Sequence, residues 1–282
     1  IRSIPSLIDG LKPSIRKTLF ACFKRKLHGE IKVAQLSGYT SEHSAYHHGE
    51  VSLENTIKGM AQNFVGSNNV NLLDGIGQFG TRLQGGKDAA QSRYIYTKLN
   101  EWTRLLFMEC DDPLCKYLDD DGQIIEPEYY YPILPHVLLN GTQGIGTGYS
   151  TKIPMYNPKD ISTFVINYIS GMSIEDNIKL LPWYKGFQGK IEPLCENSYI
   201  SRGIYSVIDK STLRITELPI GTWTEDYIET LDKLSIEKGI ETSKTFIKSY
   251  IDNSTEEKID ITIKMNSDTL YKFLDKIGKD GV

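Results

Sequence analysis

The sequence predicts an α+β chain in two parts, on three observations. Three short amphipathic stretches fall within roughly the first 65 residues. A Gly- and Asn-rich tract follows them. From about residue 115, β-prone runs alternate with helical ones. With 282 residues, 39% of them hydrophobic, the chain can fill one large core or two ordinary ones.

Residues 13–26, "PSIRKTLFACFKRK", predict the first helix. Pro13 suits its first turn, and Ile15, Leu19, Cys22 and Phe23 form one apolar stripe. "EIKVAQLSG" predicts a second helix that stops at Gly38. "SLENTIKGMAQNF" predicts a third, with Ser52 as its N-cap and Leu53, Ile57, Met60, Ala61 and Phe64 on one face. Three helices so close together suggest a helix-turn-helix core. The tract "VGSNNVNLLDGIGQFGTRLQGG" suits strands and loops forming a wing beside it. Asp121-Gly122 marks a turn between β-prone runs. A second α+β part is expected to begin near residues 125–135. Its strands fall on "GKIEPL", "YSVIDKSTLRITELP" and "KIDITIKM", and its helices near 158–170, 224–238 and 267–277.

Composition narrows the function classes. No apolar run approaches the roughly 18 residues of a membrane span. The start lacks both a methionine and a signal-peptide pattern, as expected of a piece of a longer protein. Cys22, Cys110, Cys115 and Cys195 match no zinc spacing and are expected as reduced thiols. The net charge of −4 hides an asymmetry. Residues 1–104 hold 14 Lys and Arg against 8 Asp and Glu, and the remainder holds 18 against 28. A basic first third suits local phosphate binding, and an unevenly charged solvated surface is the plainer alternative.

Three motifs invite chemistry. "GIGQFG" at 75–80 matches a dinucleotide pattern, but Gly85-Gly86 would break the required helix. Glu101, where the acidic partner belongs, falls in helix-like "TKLNEWTRLLF". "GTRLQGGKD" lacks the spacing and the Ser or Thr of a phosphate loop. Asp119–Asp121 reads as a solvated turn rather than a metal site. The third motif is "SRYIYT", where Arg93 precedes Tyr94 after a glycine-rich lead-in. A strand tyrosine is ordinarily a packing residue; it could also be a nucleophile. Ionising a free phenol at pH 7 costs about 4 kcal/mol, which an adjacent guanidinium would reduce while steadying charge on phosphorus.

The blocks "RSIPSLIDGLKPSIRKTLFACFKR", "YHHGEVSLENTI", "AQNFVGSNNVNLL", "GIGQFGTRLQGGKDAAQSRYIYT" and "LLNGTQGIGTGYSTKIP" occur in this order. Together they resemble the DNA-cleavage core of eukaryotic-type DNA topoisomerase II, closely to about residue 170 and more loosely to 282. The resemblance implies a winged-helix domain over 1–130 and a tower domain, C-terminally truncated, over 131–282. It implies that Tyr94 becomes joined to a 5′-phosphate of cut DNA, that Arg93 supports the transition state, and that His48 assists. It places DNA contacts on Arg2, Lys12, Arg16, Gln62, Asn63 and Asn69. Lys12 and Arg16 are also four apart at a helix start, so both could face one phosphate run. It makes Ile145, alone among Gly144, Gly146 and Gly148, a wedge that enters between base pairs.

The same resemblance implies double-stranded DNA as partner, a homodimer, and no membrane. Mg²⁺ and ATP are expected to be cofactors of the full-length enzyme, held by domains absent from this chain, with no metal site in this fragment. The fragment alone is therefore expected to cut DNA poorly or not at all. The expected location is the nucleus, or host cytoplasm and viral factories for a viral source. The alternative function is a non-catalytic winged-helix scaffold that binds DNA.

Overall fold

Pro13 fixes the first turn of a helix whose preceding residue, Lys12, is extended and offers no side-chain cap. That helix opens the computed structural model, which describes residues 3–195, 198–236 and 245–277. Contacts divide the chain into two units. Unit 1 takes in residues up to 63, 67–79 and 89–185; unit 2 takes in 64–66, 80–88 and residues from 186 onward.

In unit 1, α1 (Pro13–Lys24), β1 (Ile31–Lys32), α2 (Val33–His43), α3 (Glu50–Ala61), β2 (Leu73–Ile76) and β3 (Tyr96–Leu99) come first. Then follow α4 (Thr103–Leu106), a 3-10 turn (Glu109–Leu114), β4 (Tyr117–Asp120), β5 (Gln123–Pro127), α5 (His136–Leu139), β6 (Thr142–Gly146), β7 (Tyr149–Ile153) and α6 (Pro158–Ile169). Strands β1, β3 and β2 form an antiparallel sheet with β3 in the middle. Leu19 and Cys22 of α1, Leu36 of α2, and Leu53 and Ile57 of α3 share one buried core with Leu73 and Ile95. Burying such a side chain stabilises by about 1.5–3 kcal/mol. The stripe read from the sequence is thus the one that packs. Three helices and a small antiparallel sheet thus open unit 1, while residues 80–86 of the tract expected to form a wing belong to unit 2.

In unit 2, β8 (Lys190–Cys195), β9 (Ser198–Arg202), β10 (Ile204–Asp209), β11 (Thr212–Glu217), α7 (Thr224–Leu234), β12 (Ile247–Asp252), β13 (Ile261–Met265) and α8 (Ser267–Ile277) follow. A four-stranded antiparallel sheet runs β10-β11-β13-β12. Ile215, Leu218, Leu231, Ile247, Ile261, Ile263, Met265 and Leu270 fill its core. The α+β class is as the sequence predicts.

Several local expectations need correction. The second helix does not stop at Gly38: α2 runs on to His43, because Thr40 is buried behind it and a Tyr39–His43 ring contact spans the next turn. The third helix starts after Gly49 rather than Ser52, and Ser52 Oγ accepts a hydrogen bond from the Tyr46 hydroxyl. It ends at Ala61, where Gln62 turns extended and its carbonyl takes bonds from the Asn68 and Asn71 side chains. "TKLNEWTRLLF" splits into the end of β3 and the short α4, with Glu101 in the turn between them. The Asp121-Gly122 turn forms as expected, both residues at positive φ, between β4 and β5. All four cysteines are free thiols. Among the described residues no helix is long and apolar enough to cross a membrane.

Candidate active site and nucleic-acid interface

A turn over residues 92–94, just before β3, decides where Tyr94 points. Ile95 and Thr97 face the core and are fully buried, while Tyr94 and Tyr96 face outward. Tyr94 is 67% exposed, with its N–H donating to the Gln91 carbonyl at 2.9 Å. The guanidinium carbon of Arg93 lies 4.9 Å from the centre of the Tyr94 ring. Arg93 forms no ion pair with any described residue, so its charge is free for an anionic partner. The packing alternative for Tyr94 is therefore not what the fold adopts.

The backbone around this pair is fixed from α2. No side chain caps that helix at Lys32, so its first N–H groups need acceptors. Val33 N–H donates to the Ile95 carbonyl at 3.1 Å, and Ala34 N–H to the Ser92 carbonyl at 3.2 Å. Residues 92–95 thus cap α2 while presenting Arg93 and Tyr94 to solvent. Register pairs Lys32 with Tyr96, and the Lys32 ammonium lies 5.9 Å from the Tyr96 ring centre. Sequence reading missed both residues, since only strand pairing brings a cation from β1 beside this surface.

His48 is exposed on the bend before α3, its ring edge-on to Tyr46 at 5.6 Å. No hydrogen bond joins it to Tyr94 or Arg93 among the described residues. Arg2 lies outside the described residues. Asn63 is exposed. Gln62 is half-buried and its Nε2 donates to the Phe79 carbonyl at 3.0 Å.

Two of the expected DNA contacts are corrected by their surroundings. Arg16 does not share a surface with Lys12: it is buried against Asp9, with Nε to Oδ2 at 2.6 Å and Nη2 to Oδ1 at 2.9 Å. Asn69 is 6% exposed, and its amide donates to the Tyr156 and Trp183 carbonyls while its oxygen accepts from Lys185 N–H. Side chains so buried and bonded serve the packing of unit 1.

Lys12 keeps an exposed part, yet its Nζ donates to the Gln143 carbonyl at 2.6 Å. Burial of its surroundings pushes the ammonium pKa below the usual lysine value. That bond ties α1 to β6, two residues before Ile145. Ile145 is 76% exposed, paired across the β6–β7 hairpin with Ser150. Gly144 allows the hairpin to lie close to the chain start, since a Cβ there would meet the Ser3 carbonyl oxygen at 2.0 Å.

A helical core with a small sheet, an outward tyrosine beside a guanidinium, and an exposed isoleucine on a β-hairpin define an α+β module. The chain belongs to the DNA gyrase/topoisomerase IV A-subunit family, whose model matches residues 2–277. It is similar to DNA topoisomerase 2 of Plasmodium falciparum, at 54% identity over 96% of this chain and 19% of that protein. It is 51% identical to the mitochondrial DNA topoisomerase 2 of Dictyostelium discoideum, over 98% of this chain and 21% of that one. Among solved structures, the Plasmodium falciparum topoisomerase II DNA-binding, cleavage and re-ligation domain superposes with a TM-score of 0.93 at 53% identity. That match covers 98% of this chain and 37% of the other. The chain thus spans about a fifth of the length of the curated relatives it matches.

Proposed function

We propose that this chain is the strand-cleaving part of a type IIA DNA topoisomerase, with Tyr94 as nucleophile. The observation that carries the proposal is the exposed Tyr94 ring with the Arg93 guanidinium, unpaired among the described residues, 4.9 Å from its centre. The Tyr94 oxygen attacks a phosphodiester phosphorus and gives up its proton. The bond from phosphorus to the 3′-oxygen breaks, and that oxygen leaves as a 3′-hydroxyl after taking a proton. One phosphoester replaces another, so the reverse step reseals the strand without an outside energy source. Arg93 stabilises the charge that builds on phosphorus, and His48 is assigned a supporting bond to the phosphate.

Double-stranded DNA is the proposed substrate, met by Lys12, Gln62 and Asn63 and bent by Ile145; a DNA contact is also assigned to Arg2. The proposed domain division is a winged helix over 1–130 and a tower over 131–282. Two copies in a homodimer would cut opposite strands. Magnesium and ATP belong, in this proposal, to the complete enzyme. Among the described residues no three His, Cys, Asp or Glu side chains converge to hold a metal. The relatives named above are eukaryotic, one of them mitochondrial; the nucleus is the location assigned in this proposal, and a viral source is without support.

The test is Tyr94→Phe in the full-length enzyme. Removing one oxygen should abolish the covalent protein–DNA adduct while DNA affinity stays within about threefold. Unchanged decatenation would instead favour the non-catalytic scaffold.

A further inference from the structure

Residues 80–88 lie in sequence between two stretches of unit 1, yet they pack within unit 2. The segment closes on itself. Thr81 donates from its N–H and its hydroxyl to the Asp88 carboxylate, at 2.9 and 2.5 Å, and Gly86 N–H donates to the Thr81 carbonyl. Arg82 then reaches into the unit 2 interior. Its Nη2 meets Glu217 Oε1 at 2.6 Å, and the two side chains are only 6% and 3% exposed. Glu217 also accepts the N–H groups of Leu218 and Gln188, so its carboxylate is held from three directions.

The backbone of this loop caps a helix. Nothing in the side chain of Trp223 caps α7. Instead, Thr224 N–H donates to the Arg82 carbonyl at 3.4 Å and Glu225 N–H to the Leu83 carbonyl at 3.0 Å. Gln84 Nε2 reaches Glu225 Oε1 at 2.8 Å. The Trp223 indole lies so close to Gly85, at φ +62, that a Cβ there would meet it at 2.3 Å.

The stretch from 80 to 95 therefore acts as a strap. Carbonyls at 82 and 83 cap α7 of unit 2, and carbonyls at 92 and 95 cap α2 of unit 1. Arg93 and Tyr94 lie between the last two. Residues 84–91 separate the two sets of capping carbonyls; within them Asp88 is bonded back to Thr81 and Ala90 N–H donates to the Gln78 carbonyl at 2.9 Å. A buried ion pair is a poor way to add stability, because apolar groups of like volume do as well or better. What it supplies is a single register.

We propose that Arg82, through Glu217, is a positioning residue for strand cleavage: it sets the register of the strap that carries Arg93 and Tyr94. The proposal rests on the reading of Tyr94 as nucleophile. The test uses the full-length enzyme and measures single-turnover formation of the Tyr94–DNA adduct, DNA affinity and thermal stability together. Arg82→Met should slow adduct formation at least tenfold with affinity within about threefold, and Arg82→Lys should recover part of the rate. Ile263→Ala, in the unit 2 core and remote in sequence from the strap, serves as the control for stability loss and should keep the rate within twofold. Should Arg82→Met fail to fold, Glu217→Gln carries the test and should slow the adduct at least threefold. An unchanged rate in the Arg82 and Glu217 variants would overturn the proposal. So would an equal loss in the Ile263 control, or parallel losses of rate and affinity. A parent enzyme that forms no adduct at Tyr94 would bring down the nucleophile itself, a separately visible failure.

Discussion

The Arg16 guanidinium holds the Asp9 carboxylate through Nε and Nη2, at 2.6 and 2.9 Å, with both side chains out of solvent. Asp9 also accepts the N–H groups of Leu11 and Tyr130, and Arg16 donates to the Leu11 carbonyl. One carboxylate thus joins the turn before α1 to the chain near residue 130.

Arg16→Met leaves that carboxylate buried without its cation, which should cost about 3–5 kcal/mol in chemical denaturation. The salt dependence of DNA binding should not change in this variant, since Arg16 has no free face. Lys12→Met should behave oppositely, lowering the log–log salt slope by roughly 0.9 for one lost phosphate contact. Equal slopes for the two variants would remove Lys12 from the interface.

His136 supplies a pH dependence. The ring is buried beside Asn140, with Nε2 and Nδ2 3.3 Å apart. Desolvation pushes its pKa down from 6.5 to about 4, against an opposing pull from Asp9. In this window the unfolded chain takes up a proton that the folded chain refuses, so stability falls as pH drops from about 6.5 towards 4. Between pH 7.5 and 5 the loss should be about 2 kcal/mol. Denaturation of a His136→Gln variant at the two pH values should show a smaller difference. A slope identical to the parent's would mean that another group carries it.

Ile145 makes a third prediction. Ile145→Ala in the full-length enzyme should reduce the bend of an end-labelled duplex, read by energy transfer, with only a modest loss of affinity. Unstacking a base step costs a few kcal/mol, offset by the surface that bent DNA covers. A duplex bent as strongly by the variant would show that Ile145 is no wedge.

What the sequence disclosed, and what it hid, divides by range. The α1 stripe and the Asp121-Gly122 turn depend on neighbours a few residues away, and pattern reading reached them; for Tyr94 and Ile145 local pattern left a packing role open, and the family resemblance singled them out. Arg16 looked like a surface cation because its partner, Asp9, precedes the helix and no period links the two. Asn69 looked like a groove residue because its acceptors, the Tyr156 and Trp183 carbonyls, lie some 90 and 110 positions on. The Gly38 stop failed because helix propensity is a weak prior beside a buried Thr40. The Arg82–Glu217 pair spans 135 positions, and no local motif announced it.

The side chain that projects at 145, one strand pair back from the turn, is pure hydrocarbon set between two glycines. It offers no donor or acceptor, so it has no means of telling one base edge from another. Any preference it imposes on where a duplex opens has to arise from the stiffness of the steps themselves, the pliant pyrimidine–purine ones yielding first.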